Sequence, residues 1–535
     1  MTREEIKNLI EKVIRELQKE EVFFDFKLPE INVESPKEKT HGDYSTNVAM
    51  AIAKQVRRNP IEIAEMIKSK VKIQNSKVFD EIETAKPGFI NFSVSKEYLQ
   101  KQVSEILRQK EKFGKLKIGK GKEVNVEFIS ANPTGELHLG HGRGAFFGDT
   151  ISNVLEKAGY KVTREYYIND AKNSNQIREL GKTALGKGVT YLTKNLEFRI
   201  KNLESKLKKI SDEGEAGYLL AQEVQKDIKE FIEEKLKIKF DNWVSEEDLY
   251  KKNKVDKIFN WLKNKNLVYQ KEGAWWIKTS EFGDSQDWVV IRSEVEGGEP
   301  TYLLSDIVYH KDKFNRGFQR IINIWGADHQ GHVQKIKSVA KILGYKGDLD
   351  ILISQVVRLK GGKISKRKGE IVTLEWLVDE VGQDAARFIY LMKSLDTQME
   401  FDVEMAKERS TKSPVYYVQY AHARICSIFK RIKNYELRIK NFDTSLLNHP
   451  SELEFIKQLI RFPEIVEDTA KDYQVQRIPQ YAIDLATVFH QFYRDCRVLS
   501  ENKELTQARL ALISATKITL KNTLELLGVS APEEM

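Results

Sequence analysis

Two short segments hold the residue types that could act on a phosphorylated substrate. The first is His138-Leu139-Gly140-His141, with Asn132, Pro133 and Gly135 just ahead of it. Two imidazoles at this spacing could pair on a metal or stand on a plain surface, but their position is more telling. VNVEFIS (124–130) reads as a buried strand and the stretch after the histidines as a helix. The tetrapeptide therefore stands where a strand hands over to a helix. There, free backbone N–H groups and the positive end of the helix dipole face an incoming polyphosphate. Gly140 and Gly142 let a nucleotide approach the backbone closely, and imidazoles can donate hydrogen bonds to phosphate oxygens as charge develops. The second segment is Lys363-Ile364-Ser365-Lys366-Arg367, preceded by Gly361-Gly362 and followed by Lys368-Gly369. It is either a solvated basic loop or a cationic loop that neutralises a triphosphate, with the glycines supplying hinge freedom.

Two further groups of residues could recognise nucleotides. Gly326, Ala327, Asp328 and His329 end the strand pattern RIINIWG (320–326), and small residues at a strand end suit close approach to adenosine. Tyr417 and Tyr420 share a helix face with Arg424 one turn on. Such residues can stack on splayed bases and pair with base edges or phosphates, although an aromatic stripe is also how a core packs.

These groups need elements to position them. Ile6, Leu9, Ile10, Val13, Ile14 and Leu17 predict an amphipathic opening helix. Alternating turn and apolar runs such as FINFSV (89–94) make residues 1–112 a small α+β domain. KLKIGKGKE (115–123) is a basic linker. The strand, glycine-rich turn and helix after it begin a nucleotide-binding α/β unit, placed at 113–373. Within it, about 172–265 is Lys/Glu-rich with helical periodicity and reads as an inserted helical stretch whose charges are solvated faces. Strands are expected again at TYLL (301–304), RIINIWG and LDILISQVVRL (349–359). Residues 374–535 are expected to be helical. The fold class is α/β: a Rossmann-like catalytic domain with a helical insertion, a small α+β N-terminal domain and an all-α C-terminal bundle.

The bulk properties agree with this plan. A chain of 535 residues has room for three to four domains, each with its own core. A net charge of +9 permits a nucleic-acid partner without proving one. Cys426 and Cys496 are too few for a disulfide framework or a four-cysteine zinc site and are expected in the core. MTREEIKNLIEKVIREL lacks an apolar signal core, and no 18-residue apolar run occurs, so a cytoplasmic protein without a membrane span is expected.

HLGH and KISKR resemble the HIGH and KMSKS signatures of class I aminoacyl-tRNA synthetases, in the same order. Within that class the chain resembles the arginyl-tRNA synthetase family along nearly its whole length. THGDYSTNVAM (40–50) is similar to the signature of that family's N-terminal domain, which contacts the tRNA elbow. SANPTGELHLGH (130–141), YYINDA (166–171), FDNWVSE (240–246), FGDSQDWVV (282–290), YLLSD (302–306), GADHQGH (326–332), DAARF (384–388), PVYYVQYAHARICSI (414–428) and LLGVSAPEEM (526–535) are similar to further stretches of the family. The chain departs from the pattern at Lys172, Asn173 and Ser174, which lengthen the link after YYINDA, and at Ser413, where the family often has Asn.

The resemblance implies ATP-dependent activation of L-arginine and its transfer to the terminal ribose of tRNA, with Mg²⁺ on the nucleotide, by a monomer that needs bound tRNA to activate arginine. It implies that His138, His141, Lys363 and Lys366 act on the phosphates, with Gly140 and Ser365 beside ATP. By the same resemblance Tyr302, Asp306 and Gln330 line the side-chain pocket, Glu127 and Asn132 hold the α-amino and carboxylate ends, and Met535 lies near the anticodon loop. Read alone, Asp306 could equally be a helix N-cap and Tyr302 a core residue. Another class I synthetase, an inactive tRNA-binding relative and a small-molecule nucleotidyltransferase are the competing readings.

Overall fold

The computed structural model describes residues 3–36, 38–74, 77–361, 372–432 and 442–535. At its centre is a five-stranded parallel sheet in the order Asp348–Ser354, Arg320–Gly326, Glu123–Glu127, Lys161–Ile168, Asn242–Ser245. Parallel neighbours require crossover connections, which helices supply here. The chain leaves Glu123–Glu127 for one side of the sheet and returns much later to Arg320–Gly326 on the other. The carboxyl ends of these two strands are thus a topological switch point, where open α/β sheets bind ligands. Glu127 is paired in register with Asn323 on one side and Glu165 on the other. After Glu127 the chain breaks away through Ile129 and Ser130, both at positive φ.

The helix Leu139–Lys157 follows the first central strand and is buried on nearly every face, from Gly142 through Leu155. It lies against the sheet on one side and the C-terminal helices on the other. Gly148 permits this: a Cβ there would stand 2.3 Å from the Phe128 ring. The opening helix forms as expected, Arg3–Lys19, with Ile6, Ile10, Val13, Ile14 and Leu17 buried. It packs with a four-stranded antiparallel sheet that includes Phe89–Val94. Both cysteines are buried and free.

Two expectations are corrected. TYLL does not form a strand. Tyr302–Asn315 is a helix, with Thr301 at its N-cap position. Short apolar runs do not separate strand from helix, and here Ile307, Val308 and Tyr309 continue the apolar face into a second hydrophobic core. The inserted stretch is helical at Asn175–Ala184, Lys194–Leu207 and Glu213–Glu230, but it also carries the edge strand Asn242–Ser245. LDILISQVVRL divides into Asp348–Ser354 and Val357–Leu359, the latter pairing with Met399–Phe401. A three-stranded antiparallel sheet, 268–291, had no counterpart in the sequence reading.

Candidate active site

The two histidines of HLGH are locked to the backbone at the start of the helix Leu139–Lys157. The Gly140 amide donates to His138 Nδ1 at 3.1 Å, and the His138 amide donates to His141 Nδ1 at 3.1 Å. Because each Nδ1 accepts, each neutral ring carries its proton on Nε2. Burial lowers the proton affinity of both, and His141, beside His138, falls to about 3. The rings lie 3.8 Å apart. The segment thus offers two Nε2–H donors at a helix N-terminus. Asp328 on the Ala327–His332 turn is close enough to act on His138, so Gly326, Ala327, Asp328 and His329 border the same corner. Lys363, Ser365 and Lys366 lie outside the described residues. The chain beyond them returns beside HLGH: Thr373 bridges His138, and the Leu374 amide donates to the Leu137 carbonyl at 2.7 Å.

On the other side of the switch point, Tyr302 and Asp306 occupy one face of the helix Tyr302–Asn315. Tyr302 is 48% exposed, so it is not a core residue, and its hydroxyl accepts from the Asn175 amide at 3.2 Å. The lengthened link 172–174 leads into this contact, with Ser174 capping the helix Asn175–Ala184. Asp306 lies inside its helix, which removes the N-cap reading. Burial, then Glu246 and Glu127, push the Asp306 carboxyl up to about 8. Burial and nearby Asp170 push Glu246 up to about 7. Neither has an ion-pair partner among the described residues. Two carboxylates that repel in a low-dielectric pocket are stabilised by an arriving cation. Tyr167 stands with them: its hydroxyl is buried without a hydrogen-bond partner, and its ring stacks on Tyr309 at 4.1 Å. Gln330 is exposed and makes no hydrogen bond to Tyr302 or Asp306 among the described residues. Asn132 is half-buried on the turn after the first central strand. Glu127 is 4% exposed, and both its oxygens are engaged, by Lys313 at 2.6 Å and Ser130 at 3.0 Å.

Family models cover most of the chain. An arginyl-tRNA synthetase N-terminal domain matches residues 4–94, a class I (R) synthetase catalytic domain 102–176 and 191–436, and a DALR anticodon-binding domain 418–535. Arginine–tRNA ligase 1 of Halalkalibacterium halodurans is 43% identical, covering 96% of this chain and 95% of its own. The arginine–tRNA ligase of Bacillus subtilis is 42% identical, covering 95% of each. The chain belongs to the arginyl-tRNA synthetase family. The arginyl-tRNA synthetase of Thermus thermophilus, 21% identical, shares the fold over 100% of both chains with a TM-score of 0.78. The protein is thus a class I arginine–tRNA ligase with an ATP-using catalytic domain.

In this synthetase the anticodon-binding family match includes the helix Pro414–Lys430 from Val418 onward. Tyr420 and Arg424 are half-buried on it, and Arg424 donates to the Tyr420 hydroxyl at 2.7 Å. Tyr417, also half-buried, donates to Thr487 at 3.3 Å and leans on His490. The C-terminal tail is held by Gln419, His422 and Lys517, leaving Met535 52% exposed at its tip. Among the described residues no helix is long and apolar enough to cross a membrane. Glu246 and Tyr167 beside Asp306, and Tyr250, whose hydroxyl meets Ser305 at 2.7 Å, were not among the sequence candidates. Glu246 ends FDNWVSE and Tyr167 lies in YYINDA, but nothing in the sequence brings these segments to the helix Tyr302–Asn315, and no motif marked Tyr250.

Proposed function

We propose that the synthetase binds the guanidinium of L-arginine between Asp306 and Glu246, with Tyr302, Tyr167 and Gln330 completing its hydrogen bonds. Glu127 and Asn132 hold the α-amino and carboxylate ends. The observation that carries this reading is the pairing of half-buried Asp306 with buried Glu246, both with raised proton affinity and neither with an ion-pair partner among the described residues. Such a pocket suits a planar cation and penalises neutral side chains.

ATP lies with its adenosine toward Gly326, Ala327, Asp328 and His329 and its phosphates over Gly140. His138 and His141 donate from Nε2 to phosphate oxygens as the arginine carboxylate attacks the α-phosphorus and pyrophosphate departs. Lys363 and Lys366 neutralise the triphosphate, with Ser365 beside ATP. Mg²⁺ arriving with ATP would supply further charge neutralisation, while His138 and His141 would meet the phosphates as hydrogen-bond donors. The terminal ribose hydroxyl of tRNA then attacks the adenylate carbonyl, losing its proton as the acyl–phosphate bond breaks and AMP departs. Tyr417, Tyr420, Arg424 and Met535 face the anticodon loop. We divide the chain into an N-terminal tRNA-contacting domain (1–112), a catalytic domain (113–373) and an anticodon-binding domain (374–535). On the family likeness we assign a cytoplasmic monomer whose activation step awaits tRNA.

ATP–pyrophosphate exchange across all twenty amino acids, with and without arginine tRNA, tests the whole reading. Exchange with arginine alone, dependent on tRNA, is expected. Exchange driven by another amino acid would overturn the pocket assignment, and tRNA-independent exchange the tRNA requirement.

A further inference from the structure

Beneath the amino-acid site runs a chain of buried polar side chains that touches both ends of the proposed arginine position. It begins at Glu127, whose Oε2 receives Lys313 Nζ at 2.6 Å, while Oε1 receives the Ser130 hydroxyl. Ser130 in turn accepts from the Tyr167 amide and, through its carbonyl, from Asn169. Lys313 Nζ also donates to Asn323 Oδ1 at 2.9 Å. Asn323 Nδ2 donates to His310 Nε2 at 2.9 Å, and His310 Nδ1 donates to the Asp306 carbonyl at 2.8 Å. Lys313 and Asn323 are fully buried and His310 is 1% exposed. The order of donors and acceptors is self-consistent. Asn323 can give only through its amide nitrogen and receive only through its oxygen, and His310 neutral with its proton on Nδ1 satisfies both neighbours.

The connectivity has a geometric consequence. Asp306, His310 and Lys313 lie on one face of a single helix, at helical spacing. Asn323 belongs to the central strand paired with Glu127. The chain therefore ties the strand end that would hold the α-amino group to the helix turn that would hold the guanidinium. We propose that Lys313, Asn323 and His310 are positioning residues forming a spacer that sets the distance between those two ends, and so selects the amino acid by side-chain length. This rests on the arginine-pocket reading above. The buried members do not touch substrate. They act by denying Glu127 and Asp306 the freedom to move apart or together when an analogue one methylene longer or shorter enters. Satisfied buried networks are rigid because every alternative leaves a polar atom unpaired.

The test compares arginine with homoarginine and with 2-amino-4-guanidinobutyrate, one methylene longer and shorter, in tRNA-dependent ATP–pyrophosphate exchange. A pocket that discriminates by one methylene reaches about 10–200-fold. Asn323→Ala removes the strand's hold on His310 and the Asp306 turn while leaving the direct Lys313–Glu127 pair. It is expected to reduce the preference for arginine over at least one analogue by about tenfold, to raise KM for arginine more than it lowers kcat, and to leave KM for ATP within about twofold. If Asn323→Ala does not fold, as judged by its melting transition, His310→Gln is read by the same ratios. A folded variant with wild-type ratios overturns the spacer. Asp306→Asn serves as the control. If it leaves arginine use unchanged, the pocket reading itself fails. If it impairs arginine use while the spacer variants keep wild-type ratios, only the spacer fails.

Discussion

At the scale of single residues, the proposed arginine pocket turns on its two carboxylates. Asp306→Asn keeps the shape and removes a group that can ionise. The expected result is a fall in catalytic efficiency with arginine of about 10²-fold or more, a narrowed preference over the neutral citrulline, and little change in KM for ATP, because the wild-type carboxyl ionises opposite the guanidinium and gains nothing of the kind opposite citrulline's urea. Steady-state activation kinetics with both amino acids check this, and an unchanged arginine-to-citrulline ratio would move recognition away from Asp306. The same pair predicts a pH effect. Asp306 and Glu246 hold protons up to about 8 and about 7 in the folded chain, while their ordinary values are 3.8 and 4.5. The folded state thus binds protons that the unfolded chain has lost, and ligand-free stability falls as pH rises between about 4 and 8. Arginine's guanidinium opposes this by favouring both ionised carboxylates. Binding near pH 6.5 should therefore release on the order of one proton. Calorimetry in two buffers of different ionisation heat measures that number, and zero release would mean the carboxylates are already ionised. The type and spacing of Tyr302 and Asp306 were legible in YLLSD. Glu246 was not legible as their partner, because 60 residues of chain separate it from Asp306 and no local pattern records that proximity.

At the scale of elements, the inserted helices support the pocket through one unusually close crossing. Asn175–Ala184 meets Glu213–Glu230 backbone to backbone: a Cβ at Gly181 would stand 1.7 Å from the Glu213 carbonyl oxygen, and one at Gly217 would stand 1.8 Å from that of Ile177. Neither carbonyl can yield without breaking a helix, so Gly217→Ala must push the helices apart. The expected cost is about 1–3 kcal/mol or more. The first residue of the displaced helix, Asn175, contacts the Tyr302 hydroxyl, so KM for arginine should rise along with the loss in melting temperature. A lowered melting temperature with unchanged arginine KM would uncouple the insertion from the pocket. The helical periodicity of this stretch was readable, but its glycines were silent. A glycine within a helical pattern reads as a weak point until the facing backbone is known.

At the scale of the whole molecule, the N-terminal signature THGDYSTNVAM serves a contact that its resemblance did not suggest. Tyr44 donates to Glu464 at 2.8 Å, Asp43 pairs with Lys457 at 2.6 Å, and Arg3 reaches Asp468 at 2.7 Å. The helix Phe462–Asp472 that receives two of these contacts also packs on the HLGH helix. Tyr44→Phe is expected to cost about 1.5–3 kcal/mol, the range for a hydrogen bond to a charged group, and to hasten proteolysis between the N-terminal and C-terminal parts. Equal melting curves for variant and wild type would show this contact to be dispensable. Tyr420→Ala tests the opposite end. It should raise KM for tRNA by about 5-fold or more, given roughly 1–3 kcal/mol per stacked base, with KM for ATP unchanged. If thermal stability falls while KM for tRNA holds, Tyr420 is a packing residue.

Local patterns in the chain determined the amphipathic opening helix, the strand-to-helix turn at HLGH, the helical C-terminal region and the membership of each segment in a family. Those properties depend on periodicity, caps and short motifs, which neighbouring residues carry between them. Three other features were decided by the tertiary structure. YLLSD became a helix because its apolar face had a second core to fill. FDNWVSE supplied both the edge strand and the second carboxylate because the parallel crossover returned it to the sheet. Lys313 became a buried cation rather than a surface charge because Glu127, Glu165 and Asn323 converge on it from separate strands. A buried cation is stable only where several partners meet it at once, and that convergence exists only after the chain has folded.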